Sequence, residues 1–96
     1  MRGYRGLFGG EMMTEKKVGC VTHFYDNIHV ATVRITDGEL HVGDFIHIDG
    51  NTSDFTVRIK SMQLDHQPIE VARVGDIVGI QVSENAREKD TVYIVH

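Results

Sequence analysis

An all-β fold, a small antiparallel closed β-barrel of about six strands, is what this sequence predicts, and three observations carry the prediction. From Val18 onward, short runs rich in β-branched and aromatic residues alternate with clusters of Gly, Asp, Asn and Ser at nearly regular intervals. Over the same stretch almost nothing has the 3.6-residue apolar period of a helix. A Val-Gly-Asp triplet occurs twice, at Val42-Gly43-Asp44 and Val74-Gly75-Asp76, each time just before an apolar run. Glycine there permits a left-handed turn, and aspartate satisfies the turn's amides.

The elements follow in chain order. Residues 1–14 hold four of the ten glycines and no period, and read as a flexible Gly-rich leader; Met12-Met13 leaves open a start at Met13. A single domain is expected over 15–96. Val18–Tyr25 and Ile28–Thr36 flank Asp26-Asn27, the spacing of a two-residue hairpin with a primed turn, which pairs Phe24 with His29 and Thr22 with Ala31. Both faces of that hairpin are mixed, so the pattern does not say which side is inward. Asp44–Ile48 is the next strand, closed by the loop cluster Asp49-Gly50-Asn51-Thr52-Ser53. Asp54–Leu64 alternates Phe55, Val57 and Ile59 with Thr56, Arg58 and Lys60, and breaks near Ser61, which predicts a bulge or bend at a barrel corner. Pro68 marks the end of that strand. Ile69–Val74 is expected to be extended, Ile77–Val82 and Thr91–Val95 are strands, and Ser83–Asp90 is the polar loop between them.

Composition narrows the function classes. At 96 residues the chain is one domain's worth, with little room for a deep cleft. The net charge of −4 and scattered cations exclude a nucleic-acid stripe and leave only a local patch for RNA. No apolar run is long enough to span a membrane, and with one cysteine, Cys20, a cytoplasmic protein is expected.

No phosphate-cradling motif is present, so no nucleotide is expected. Six histidines lack HxH or HxxxH spacing, and the expectation is no metal and no cofactor. Cys20 and His23, three apart on a regular strand, point to opposite faces and make no nucleophile pair. The aspartates fall in turns, where capping backbone amides is their ordinary use. No catalytic residue is assigned. The candidate partner-binding residues are the cations Arg58 and Lys60 on one strand face, Arg87 and Lys89 in the last loop, and the aromatics Phe24 and Tyr25 for stacking or anchoring.

The run Asp37-Gly38-Glu39-Leu40-His41-Val42-Gly43-Asp44-Phe45-Ile46-His47-Ile48, followed by Ala72-Arg73-Val74-Gly75-Asp76-Ile77-Val78-Gly79-Ile80, resembles the second domain of elongation factor Tu and related translational GTPases. The resemblance covers about Lys17 to Val95. It departs at Ile28-His29-Val30-Ala31-Thr32-Val33-Arg34, where that family carries glycines. Val18-Gly19-Cys20-Val21-Thr22-His23-Phe24, Ser61-Met62-Gln63 and the segment from Val82 through Tyr93 are also similar to the accessory barrel at the C-terminus of collagenase-like peptidase proteins, some of which act in tRNA hydroxylation.

What these resemblances imply is a binding module rather than an enzyme. The leading expectation is a non-catalytic translation-factor-like barrel that recognises RNA, the ribosome or a protein partner, without GTPase activity. The alternative is an accessory subunit that docks on a separately encoded peptidase-like or tRNA-modifying enzyme. A homodimer through an incompletely paired strand edge is a further expectation.

Overall fold

The computed structural model describes residues 14–96, which form ten strands: β1 (Glu15–Tyr25), β2 (Val30–Ile35), β3 (Glu39–His41), β4 (Phe45–Asp49), β5 (Asp54–Arg58), β6 (Met62–Leu64), β7 (Gln67–Ile69), β8 (Val71–Arg73), β9 (Ile77–Gln81) and β10 (Thr91–Val95). Residues 1–13 of the leader, and with them the Met13 start, lie outside the described residues; Thr14 pairs through its backbone with His96. The all-β antiparallel prediction holds; the count of six strands and the closed barrel do not. Eight strands form one sheet in the order β5-β4-β10-β1-β2-β9-β6-β7, and β3 and β8 form a separate ribbon. No helix among the described residues is long and apolar enough to cross a membrane.

The sheet curls without closing. Its first strand, β5, and its penultimate strand, β6, are separated only by Ile59, Lys60 and Ser61. At about 3.5 Å per residue, so short a link holds opposite ends of the sheet within roughly 15 Å of each other. The ends therefore meet through the covalent chain and not through a hydrogen-bonded ladder. The bend anticipated near Ser61 is thus a complete break: β5 pairs with β4, while β6 pairs with β9 at the far end.

β1 curves because it carries two extra residues. Its register slips between Lys17 and Gly19 against β10, and between Val21 and His23 against β2. Each slip shifts the inward side by one residue, so Val18, Val21 and Phe24, three apart, all face the core. This explains the mixed faces in the sequence. It also places Cys20 and His23 on one face, opposite Arg34 and Thr32, contrary to the regular-strand expectation. At the first slip the backbones approach so closely that a Cβ on Gly19 would collide with the Arg34 carbonyl oxygen. At the second, the hydroxyls of Thr22 and Thr32 meet at 2.7 Å.

Turn chemistry corrects two further expectations. The β1–β2 connection takes four residues, 26–29, ending in left-handed His29 (φ 53°), so Phe24 pairs with Ala31 and not with His29. The two-residue primed turn occurs instead between β6 and β7, where Asp65 (φ 52°) and His66 (φ 65°) are both left-handed. Pro68 does not end a strand but sits in β7, the last strand of the sheet, where a missing donor breaks no ladder on the open side.

The core is aliphatic. Ala31, Val33 and Ile35 of β2, Ile46 and Ile48 of β4, Val78 and Ile80 of β9 and Val92 of β10 are almost fully buried, and the β3–β8 ribbon adds the cross-strand pair Leu40 and Ala72. Both Val-Gly-Asp triplets form the same turn. Gly43 and Gly75 have φ of 101° and 97°; the Asp44 carboxylate accepts the His41 N–H at 2.9 Å, and that of Asp76 accepts the Arg73 N–H at 2.9 Å. A third copy, Arg87-Glu88-Lys89-Asp90, has Lys89 at the glycine position with φ 75°, and Asp90 accepts the Arg87 N–H at 2.8 Å.

Candidate functional site

Four of the six expected partner-binding residues fall into two open clefts on either side of the loop after β9. One, of about 280 Å³, lies where the curled sheet fails to close: Val57 and Arg58 of β5 and Lys60 of the crossing face Gln81, Val82 and Ser83 at the end of β9. Arg58 and Lys60 are thereby brought together. The other, of about 340 Å³, is built from three loops and lined by Phe24, Asp26, Thr52, Asn85, Ala86 and Arg87. Phe24 is half-buried there, its ring edge-on to His29 at 5.7 Å. Glu88 anchors the loop to the hairpin through the ring of His23, 3.2 Å away.

Two expected residues line neither cleft. Tyr25 is 46% exposed on the opposite side of β1 from Phe24, its ring 4.3 Å from that of His23. Lys89 is committed to the turn, where its N–H donates to the Val21 carbonyl at 2.8 Å. Neither cleft has the enclosed apolar wall of a small-molecule pocket.

The most unusual chemistry is elsewhere. Ile46 and Ile48 face the core, so His47 between them points to the outer side of β4, yet it is only 3% exposed. Its Nδ1 lies 3.0 and 3.1 Å from the two carboxylate oxygens of Glu15, and its Nε2 lies 2.6 Å from Asp54 Oδ1. Asp49, two residues along on the same side of β4, completes a group in which His47, Asp49 and Asp54 each offer a donor atom within 4.8 Å of the others. Tyr93 of β10 covers the ring at 6.0 Å between centroids. Sequence reasoning assigned Asp49 and Asp54 to turn capping and missed the cluster. The usable signal was His47-x-Asp49, a spacing of two on a strand, followed by a short hairpin loop that returns Asp54 opposite Asp49.

With this geometry established, the comparisons with known proteins locate the chain. The sequence profile of elongation factor Tu domain 2 matches residues 29–94. The chain belongs to that domain family. Its sequence is 35% identical over 80 residues, 82% of the chain, to an uncharacterised protease of Methanocaldococcus jannaschii, and 31% identical over 85 residues, 88% of the chain, to a collagenase of Porphyromonas gingivalis. It spans 19% and 24% of these proteins, so the chain covers about a fifth of the length of the curated relatives it matches. In structure it is similar to the C-terminal domain of a Geobacillus thermoleovorans protein assigned to the U32 peptidases, with a TM-score of 0.75, 20% identity, and coverage of 80% of this chain and 96% of that one.

Both resemblances read from the sequence are thus supported. The expectation of a chain outside the enzymes is corrected, because its relatives are named as a protease and collagenases. The same relatives direct the functional reading toward peptidases and away from translation.

Proposed function

We propose that this chain acts as the C-terminal-type β-domain of a U32 peptidase-family protein and uses its two loop-flanking clefts to engage the rest of that enzyme. The 80-residue match to a protease carries this reading, together with a fold equivalent to nearly the whole of a U32 C-terminal domain. The geometry supports docking. Phe24 and Arg87, an aromatic and an arginine in one cleft, are the residue types that anchor protein interfaces. Arg58 and Lys60 at the unclosed end of the sheet suit an acidic segment of the partner surface.

A segment exchange tests this. The matched 80-residue segment of the M. jannaschii protease is deleted, or replaced by this chain, and peptide hydrolysis is compared. The replacement is expected to restore activity lost on deletion, and the double change Phe24→Ala with Arg87→Ala is expected to reduce the restored activity by tenfold or more. A replacement no more active than the deletion overturns the reading.

A further inference from the structure

We propose that His47 Nε2, Asp49 and Asp54 form a binding site for one divalent first-row transition-metal cation of the Zn²⁺ or Co²⁺ type, with Glu15 as the residue that orients the imidazole. The sequence led to an expectation of no metal; none of these three side chains lines either cleft.

Four observations converge on it. The donor atoms of His47, Asp49 and Asp54 already lie within 4.8 Å of one another. Around a tetrahedral zinc, with bonds near 2.0–2.2 Å, donors sit roughly 3.3 Å apart, so small side-chain rotations complete the set. Asp54 has room for this, its side chain being 63% exposed. Secondly, the two nitrogens of His47 are held differently. Both oxygens of Glu15 lie at Nδ1, while Nε2 faces Asp54 Oδ1 at 2.6 Å. A carboxylate on the far nitrogen of a ligating histidine is the usual outer support of a metal site. The cation takes the place of the proton between Nε2 and Asp54.

Thirdly, Asp49 and Asp54 stand directly opposite each other in the β4–β5 ladder. Directly opposite residues share a face, so both carboxylates stand on the His47 side of the sheet. Lastly, the ligands sit on strands and not on a mobile loop. The connection from β4 to β5 is pinned by Gly50 N–H to the Ser53 carbonyl at 2.8 Å, with Ser53 buried, so the backbone that carries the two carboxylates is held in place. One imidazole with two carboxylates favours zinc, cobalt or manganese over calcium or magnesium, and three protein donors leave one position for water.

The test is titration of the full chain with Co²⁺, followed by visible absorption, and with Zn²⁺, followed by calorimetry. One equivalent is expected, with a cobalt d–d band. Asp49→Asn and Asp54→Asn are each expected to weaken binding at least tenfold while the thermal midpoint confirms folding, and Glu15→Gln to weaken it about 10–100-fold at unchanged stoichiometry. A triple His23→Ala, His41→Ala, His66→Ala variant is expected to bind as the parent does. Absence of the band and of heat at millimolar metal overturns the proposal, as does binding that survives both Asn variants or disappears in the triple histidine variant.

Discussion

On its inner side β4 sets Ile46 and Ile48 into a dry aliphatic core, both with no exposed surface; on its outer side it buries His47 almost as completely among Glu15, Asp49 and Asp54. The same strand thus buries Ile46 and Ile48 on one side and His47 on the other by opposite means. Inner burial is non-directional and scales with apolar area, so another aliphatic side chain of similar volume serves nearly as well. Outer burial depends on donors and charges at fixed distances, and no other residue type reproduces two ring nitrogens 2.6–3.1 Å from two carboxylates. A strand of this kind gains stability from one side and chemical capacity from the other.

Truncation on the inner side is expected to be the more damaging. Ile48→Ala removes a side chain that has no exposed surface and should cost about 2–5 kcal/mol, the transfer loss plus a cavity. That is a large share of the roughly 5–15 kcal/mol that holds a domain of this size together, and urea unfolding would show it as a lower midpoint at unchanged slope. On the outer side, His47→Ala removes the group that Glu15 and Asp54 share and should cost about 1–3 kcal/mol. The comparison sharpens with conservative exchanges. Ile48→Val should be nearly silent, at about 1 kcal/mol, whereas His47→Gln should keep most of the His47→Ala loss, because one amide cannot meet both carboxylates. Equal tolerance on the two sides would show that the outer group fills space and nothing more.

The same contrast explains what the sequence made legible. Apolar alternation is a pattern along one strand, so Phe55, Val57 and Ile59, or Ile46 and Ile48, announce their inward side without any knowledge of neighbours. The strands read at Asp44–Ile48 and Thr91–Val95 were legible for the same reason. The bulges of β1 were not, since an extra residue at Val18 or Thr22 is visible only against the partner's register. Sheet closure was misread because the covalent link Ile59–Ser61 brings the sheet ends together without a ladder, and apolar patterning is the same in both cases. Arg58 with Lys60, and Phe24 with Arg87, did meet in clefts; the first pair is local in sequence, while the second depends on three loops converging. Glu15 reaches His47 across β10, which lies between β1 and β4, and nothing within either strand signals that encounter.

The gentlest probe of the outer side acts through the turn that packs beneath it. Asp90 is 5% exposed and lies so close to Gly50, the residue after Asp49, that a Cβ on Gly50 would strike its carboxylate. Its turn repeats those of Gly43 and Gly75 but forces Lys89 to φ 75°, a conformation that costs an L-residue about 1–2 kcal/mol. Glycine removes that strain and adds about 0.5–1 kcal/mol of unfolded-state entropy, so Lys89→Gly should stabilise the domain by about 0.5–1 kcal/mol. A rise in melting temperature of about 2–8 °C is the expected readout. Gly75→Ala is the mirror experiment. Its Cβ would meet nothing within 4 Å, so its cost is backbone strain at φ 97° of about 1–2 kcal/mol less the same roughly 0.5–1 kcal/mol of unfolded-state entropy. If the gain at Lys89 and the loss at Gly75 share this origin, Lys89→Gly should leave the response of the outer cluster to His47→Ala unchanged. A stabilising turn that altered that response would mean that the outer side of β4 is set by the Asp90 turn, and not by the pairing of β1, β10, β4 and β5 alone.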